Sequence, residues 1–223
     1  FRNNNNFSLF QFVNFSFTSM TILNPFPIFS LFTLFVLLST AQSFQFNENG
    51  EYTILQFTDL HFCENGEKDA NTQELQRKIL RWIKPDLVVL SGDAASGWMT
   101  KTPGSFETCW RKFTEPITEA QIPYAYIFGN HDAEGALDRF QISKLDETHP
   151  FSVRRDVDGL PGKLNFEIPV YSSKNKTQLA ANIWLFDTGS RSCDGFDSSS
   201  WGCVEQDTID WYTDKSRQIK KKH

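Results

Sequence analysis

The sequence YTILQFTDLH at residues 52–61 is followed by LVVLSGD at residues 87–93 and YAYIFGNHD at residues 124–132. Each segment begins as an apolar run rich in β-branched and aromatic residues, which predicts a buried strand, and ends abruptly in polar residues. Residues 71–83 and 106–120 lie between them and have the apolar periodicity of amphipathic helices. Strands and helices that alternate in this way predict an α/β fold built on a parallel sheet.

The second half of the chain has a different pattern. Residues 164–171 and 181–186 are apolar or alternating on either side of the turn sequence SSKNKTQ, which predicts a β-hairpin. Residues 207–222 predict a polar helix that ends in a basic run. Within the earlier helical segment, Pro116 is expected to cause a break or a kink, because proline lacks the amide hydrogen that a helix needs.

The overall charge bears on the class of partner. The chain has 223 residues and a formal net charge of −5, which argues against a protein that binds the phosphate backbone of nucleic acids. We therefore expect no nucleic-acid partner. The charges are unevenly distributed, since no charged residue lies between Arg2 and Glu48.

Residues 1–43 are predicted to be a leader that precedes a folded domain at residues 44–223. Residues 28–38 (IFSLFTLFVLL) are too short for a membrane span of about 20 residues but are typical of the apolar part of a signal peptide. We interpret residues 20–43 as a signal peptide and residues 1–19 as upstream sequence that is read through. We expect a secreted or lumenal protein (extracellular, vacuolar or lysosomal) without a stable membrane span. A membrane anchor in the longer Phe-rich stretch is the alternative, which two prolines at 25 and 27 disfavour.

The cysteines fit an oxidising compartment. Four cysteines allow three pairings. Cys193 and Cys203 flank a polar loop and favour a local disulfide, which leaves Cys63 to pair with Cys109. The triplet that begins at Asn175 is a glycosylation sequon in a polar turn, so we expect a glycoprotein if the chain is secreted.

Polar side chains with metal-binding chemistry follow the three predicted strands. In an open α/β sheet these strand ends meet at one edge, which would bring together Asp59, His61, Asp93, Asn130 and His131. Carboxylate, amide and imidazole groups together favour Zn, Mn or Fe over Ca. One residue separates Asp59 from His61, so both side chains are expected on the same side of an extended strand end.

These motifs resemble the signature of the calcineurin-like metallophosphoesterase superfamily. The matching motifs are DLH at 59–61, GD at 92–93 and GNHD at 129–132, and the chain is most similar to the purple-acid-phosphatase-like phosphoesterases of eukaryotes. Ser96 stands where the purple enzymes carry an iron-binding tyrosine, so the resemblance is to the non-purple branch. It implies a four-layer α/β/β/α sandwich, of which only the N-terminal part is present here.

The resemblance also implies a role for each site residue. Asp59 and His61 would bind the first of two divalent metals, Asp93 would bridge both, and Asn130 would bind the second. His131 would be the catalytic residue that faces the substrate and protonates the leaving group. The implied reaction is hydrolysis of a small phosphorylated substrate, a phosphate monoester, by a water that bridges the metals. Asp132 would hold its loop in place by hydrogen bonds.

The family's second metal site also needs histidines from further along the chain. The remaining histidines here are His149 and His223, and we interpret both as non-ligands. We therefore expect the sequence to be incomplete at its C-terminus and this chain alone to be inactive. Two alternatives remain open: a non-catalytic secreted glycoprotein with a vestigial metal site, and a phosphodiesterase of the same superfamily. The sequence does not indicate an oligomeric state.

Overall fold

The computed structural model describes residues 11–14, 44–193 and 199–222. Within these residues the strands are β1 (Gln11–Asn14), β2 (Phe44–Gln45), β3 (Thr53–Phe57), β4 (Leu87–Ser91), β5 (Tyr124–Ile127), β6 (Phe166–Tyr171) and β7 (Leu179–Leu185). The helices are α1 (Gly66–Ile83), α2 (Ser105–Ala120), α3 (Arg139–Glu147) and α4 (Gln206–Lys222), and a single 3₁₀ turn covers Gly97–Met99.

The first sheet has the strand order β1-β3-β4-β5. Strands β3, β4 and β5 are parallel, as the alternating pattern predicts, and β1 pairs antiparallel with β3. The carboxyl ends of the three parallel strands therefore lie side by side at one edge. Strand β1 lies within the predicted leader, and the predicted signal peptide at 20–43 lies outside the described residues.

Helix α1 begins at Gly66, five residues earlier than the predicted start at residue 71. The reason is the cap at Asn65, whose side chain accepts hydrogen bonds from the backbone amides of Glu67 (3.0 Å) and Lys68 (3.1 Å). These bonds satisfy amides that a helix otherwise leaves without partners in its first turn. The cap therefore extends the helix into a polar stretch without apolar periodicity.

Helix α2 is continuous through Pro116, so the predicted interruption is wrong. The proline removes the amide that would bond the carbonyl oxygen of Lys112. That oxygen instead accepts a hydrogen bond of 2.8 Å from the side chain of Gln73 on α1. A neighbouring helix thus replaces the lost bond, which keeps α2 in one piece.

The second sheet has the strand order β2-β6-β7. Strands β6 and β7 form the predicted antiparallel hairpin, and β2 runs parallel to β6. Helix α4 covers one face of this sheet, where Trp184 of β7 contacts Trp211 (5.4 Å between ring centroids) and Tyr212 (4.8 Å). The opposite face is buried, as the alternating burial along β6 shows.

The layers follow the predicted order of helix, sheet, sheet and helix. Trp110 of α2 packs edge-on against Tyr126 of β5, with 5.1 Å between ring centroids. One continuous buried cluster includes residues of both sheets, for example Leu55 of β3 and Ile168 of β6. The chain is therefore a mixed α/β structure in which the two sheets share a core.

Both predicted disulfides are present. Cys63 is bonded to Cys109, which joins the loop after β3 to α2, and Cys193 is bonded to Cys203. No helix in the described part of the chain combines the length and the apolar character that a membrane span requires.

Candidate metal centre

The structure brings three of the predicted ligands together at the edge where the parallel strands end. Asp59 and His61 follow β3 and Asp93 follows β4, and each offers one ligand atom within 4.8 Å of the others. Two carboxylates and one imidazole at this separation form a donor set suited to Zn, Mn or Fe. The fold thus assembles a candidate metal site from segments far apart in the sequence.

The backbone at these three residues is left-handed, with φ of 53° at Asp59, 49° at His61 and 49° at Asp93. The expected extended strand end at Asp59 and His61 is therefore wrong. Their amides are held by the β4 loop instead, since Asp59 donates to the oxygen of Gly92 (3.1 Å) and His61 to the oxygen of Asp93 (3.0 Å). Left-handed backbone at non-glycine residues costs about 1–3 kcal/mol each and clusters at functional sites.

Gly129 lets the β4 and β5 loops approach closely. A Cβ atom there would lie 2.0 Å from Oδ1 of Asp93 and 2.4 Å from its backbone nitrogen. The same Oδ1 accepts a hydrogen bond of 2.8 Å from the amide of His131. The GD and GNHD motifs are therefore in direct contact, and the position of the Asp93 carboxylate depends on the absence of a side chain at residue 129.

Asp132 connects the β4 and β5 loops by hydrogen bonds. Its fully buried carboxylate accepts hydrogen bonds from the amides of Asp93 (2.9 Å), Ala95 (3.0 Å) and Gly129 (2.7 Å). Burial raises the pKa of Asp132 to about 6, although the three amides favour the charged form. This geometry agrees with the loop-holding role that the resemblance implies.

Asn130 faces the same cavity of about 260 Å³ that Asp59 and Asp93 line. Its buried side-chain nitrogen Nδ2 has no hydrogen-bond partner among the described residues. A buried amide without a partner is costly, and rotation by 180° would present its oxygen at the same place. The amide is thus suited to a metal ligand, and with the two carboxylates and the imidazole the residues present fit a divalent metal.

His131 lies beside the cluster. Its ring is 5.6 Å from that of His61 and contacts the ring of Trp98 edge-on at 4.6 Å, measured between centroids. Its Nδ1 lies 2.7 Å from Oε2 of Glu134. Because a carboxylate only accepts, Nδ1 carries a proton and Nε2 is left to face a ligand. The sequence reasoning missed Trp98 and Glu134; the spacing of three residues between His131 and Glu134 is the signal that could have found the second.

The other described histidine is structural, as expected. His149 packs against the ring of Tyr124 at 5.0 Å and lies 3.1 Å from the hydroxyl of Thr118, and burial lowers its pKa.

Asp187, another buried carboxylate near the cavity, is paired with Arg139 at 2.5 Å. His223 lies outside the described residues. In the described part of the chain, the second metal position therefore has Asp93 and Asn130 as candidate ligands.

Comparison with known proteins defines the class. The family model for the calcineurin-like phosphoesterase domain matches residues 52–221, so the chain belongs to this family. Membership of a phosphoesterase family suggests phosphoester hydrolysis as the reaction class and implies divalent metals.

Similar proteins point to the branch that the motifs suggest. The chain is 28% identical over 249 residues to "Probable inactive purple acid phosphatase 29" of Arabidopsis thaliana, covering 97% of this chain and 59% of that protein. It is 28% identical over 166 residues to "Phosphatase DCR2" of Saccharomyces cerevisiae, covering 66% of this chain and 28% of that protein. It is also 28% identical over 204 residues to "Probable inactive purple acid phosphatase 14" of Arabidopsis thaliana, covering 80% of this chain and 50% of that protein. The chain thus spans between about a quarter and three fifths of the length of these relatives.

Proposed function

We propose that this chain carries the metal-binding part of a two-metal phosphoester hydrolase that acts on phosphate monoesters. The observation that carries the proposal is the convergence of Asp59, His61 and Asp93 after neighbouring parallel strands. Family membership supports the reaction class.

The chain's own residues divide into ligands and a proton donor. Asp59, His61 and Asp93 would hold the first metal, and Asp93 with Asn130 would contribute to the second. Metals bound there supply Lewis-acid stabilisation of the phosphoryl group and a water of lowered pKa. The metals would be Mn, Zn or Fe.

His131 would complete the reaction on the leaving-group side. Glu134 accepts a hydrogen bond from Nδ1–H and so holds the ring with Nε2 toward the substrate. In the reaction, the imidazolium form of His131, which carries a proton on both ring nitrogens, would give its Nε2 proton to the leaving oxygen as the bond between phosphorus and that oxygen breaks, and the ring would return to the neutral Nδ1–H form. Glu134 stabilises the imidazolium through its hydrogen bond, and general acid catalysis of this kind contributes about 100-fold or more.

A non-catalytic role is the second candidate. It is favoured by one observation: two relatives of this chain bear names that describe them as probably inactive. In this reading the first metal position persists and hydrolysis is absent.

Metal binding tests the site, and turnover tests the reaction. The full chain is produced with both disulfides formed, and Mn²⁺ binding and hydrolysis of p-nitrophenyl phosphate and bis(p-nitrophenyl) phosphate are measured. Asp93→Asn should abolish Mn²⁺ binding, whereas Asp158→Asn, at an exposed position, should not. Metal-dependent hydrolysis of the monoester supports the hydrolase and refutes the second candidate. Because this chain alone is expected to be inactive, Mn²⁺ binding without hydrolysis supports the metal site, which both candidates share. Full Mn²⁺ occupancy in Asp93→Asn would refute the site.

We also propose that the protein is secreted or lumenal. Two disulfides join all four cysteines, and such bonds persist in oxidising compartments. Asn175 of the sequon is exposed in the turn between β6 and β7, where a glycan would meet no steric obstacle from the core.

A further inference from the structure

We infer that Ser96 and Glu64 form a hydrogen-bonded chain that fixes the orientation and tautomer of His61, so that Nε2 is the atom presented to the metal. This inference rests on the proposed function, because it takes His61 as a ligand. It assigns to Ser96 and Glu64 a positioning role.

The geometry of the three side chains is continuous. Nδ1 of His61 lies 3.0 Å from Oγ of Ser96, and that hydroxyl donates to Oε1 of Glu64 at 2.7 Å. Nδ1 of His61 is also 3.5 Å from the same Oε1. The side chain of Ser96 is fully buried, while those of His61 and Glu64 are 19% and 33% exposed. The hydrogen-bonded chain thus leads from His61 through the buried hydroxyl of Ser96 to the partly exposed carboxylate of Glu64.

The direction of each proton follows from hydrogen-bond chemistry. An ionised carboxylate only accepts, so the one hydroxyl proton of Ser96 points to Glu64. The oxygen of Ser96 is then left to accept, and Nδ1 of His61 must be the donor. In neutral imidazole the other nitrogen, Nε2, consequently carries the lone pair that a metal requires. Partners of this kind orient metal-binding histidines generally.

Glu64 and Ser96 are both held by rigid parts of the fold. Glu64 lies between Cys63, which is bonded to Cys109, and Asn65, which caps α1. The backbone of Ser96 donates to the oxygen of Phe62 at 3.0 Å. Both partners are therefore held in place before any metal arrives, which is the arrangement expected of groups that preorganise a site.

The tautomer can be measured in the metal-free chain. Long-range ¹H–¹⁵N NMR at about pH 8, where ordinary imidazoles are neutral, distinguishes the two tautomers. His149 is an internal reference for the other tautomer, because its Nδ1 accepts a hydrogen bond from the amide of Phe151. The hydroxyl proton of Thr118 is donated to Thr114, so Nε2 of His149, 3.1 Å from that hydroxyl oxygen, must be the donor. We expect Nδ1–H at His61 and Nε2–H at His149. An Nε2–H tautomer at His61 overturns the inference.

Variants connect the tautomer to metal binding. Ser96→Ala and Glu64→Ala should each allow both tautomers at His61 and weaken Mn²⁺ binding by about 10–100-fold, as loss of such partners typically does. Glu64→Gln keeps an acceptor and should retain the Nδ1–H tautomer. Ser143→Ala, which removes another buried hydroxyl on α3, controls for a general loss of stability and should leave Mn²⁺ affinity unchanged.

The results separate this inference from the proposed function. Wild-type Mn²⁺ affinity in Ser96→Ala, or equal loss in Ser143→Ala, overturns the positioning role. A wild-type chain that binds none of Mn²⁺, Zn²⁺ and Fe²⁺ refutes the proposed function, and the tautomers of wild type and Ser96→Ala then decide by themselves whether the hydrogen-bonded chain exists.

Discussion

Gly129→Ala tests whether close contact between two loops positions the proposed bridging carboxylate. The added Cβ would lie 2.0 Å from Oδ1 of Asp93, whereas ordinary contacts begin near 3.4 Å. The carboxylate must therefore move by about 1.4 Å, or the two loops must separate by a similar distance. The backbone nitrogen of Asp93, at 2.4 Å from the new atom, prevents the side chain alone from resolving the clash.

The size of the expected effect follows from these distances. Overpacking of this kind costs about 1–3 kcal/mol of unfolding free energy, which for a domain of this size lowers Tm by about 2–12 °C. A ligand displaced by more than about 1 Å leaves the range in which it can share a metal, so Mn²⁺ affinity should fall by about 100-fold.

Gly66→Ala is the matched control. Gly66 lies in the first turn of α1, and a Cβ there would meet no atom within 4 Å. Alanine should be neutral or stabilise the helix by up to about 1 kcal/mol and leave Mn²⁺ affinity unchanged. Both variants are compared by thermal unfolding and by titration of Mn²⁺ followed by the EPR signal of the free ion. If Gly129→Ala and Gly66→Ala bind Mn²⁺ equally well, the close contact does not position the carboxylate.

Three further predictions concern stability and processing. Burial raises the pKa of Asp146 from 3.8 to about 6, so the contribution of this carboxyl to stability is present below about pH 4 and is lost as pH rises to about 6. In urea unfolding, the free energy of unfolding of wild type minus that of Asp146→Asn should therefore fall by about 1–3 kcal/mol over that range. Arg139→Met leaves the buried carboxylate of Asp187 without its cation and should cost about 3 kcal/mol in urea unfolding, with a smaller loss in Arg139→Lys. In a eukaryotic secretory host, the chain should carry a glycan at Asn175 that peptide N-glycosidase removes, and Thr177→Ala should lack it.

Each of these predictions has a contrary result. A pH-independent difference between wild type and Asp146→Asn would show that the pKa of this carboxyl is the same in the folded and unfolded chain. Equal stability of Arg139→Met and wild type would mean that the amides of Lys163 and Gly189 satisfy Asp187 alone. A chain that reaches the medium without a glycan would refute glycosylation, and a chain retained in the cytosol would refute secretion.

Several features of the fold could be predicted because they depend on local patterns. The parallel strands β3, β4 and β5 follow from apolar runs of strand length, and the β6–β7 hairpin follows from two such runs around a polar turn. The bounds of α1 and the continuity of α2 could not be predicted. They depend on single hydrogen bonds, from Asn65 at the cap and from Gln73 on a neighbouring helix, which periodicity does not reveal.

The candidate site also has features that could be predicted from the sequence and features that could not. Asp59, His61 and Asp93 were identified because polar residues directly after parallel strands must meet at one sheet edge. The left-handed backbone that turns Asp59 and His61 toward Asp93 depends on hydrogen bonds to the β4 loop, and so it was missed.

The amino-acid sequence by itself determined the order of the elements, the family and the chemical identity of the groups at the strand ends, because these depend on the local pattern of apolar and polar residues. Only the tertiary structure decided how those groups are oriented. Glu64 and Ser96 reach His61, Glu134 reaches His131, and Asp132 joins the two loops. The physical reason is that a hydrogen bond requires distances of about 3 Å, which are set by the packing of the β3, β4 and β5 loops against one another.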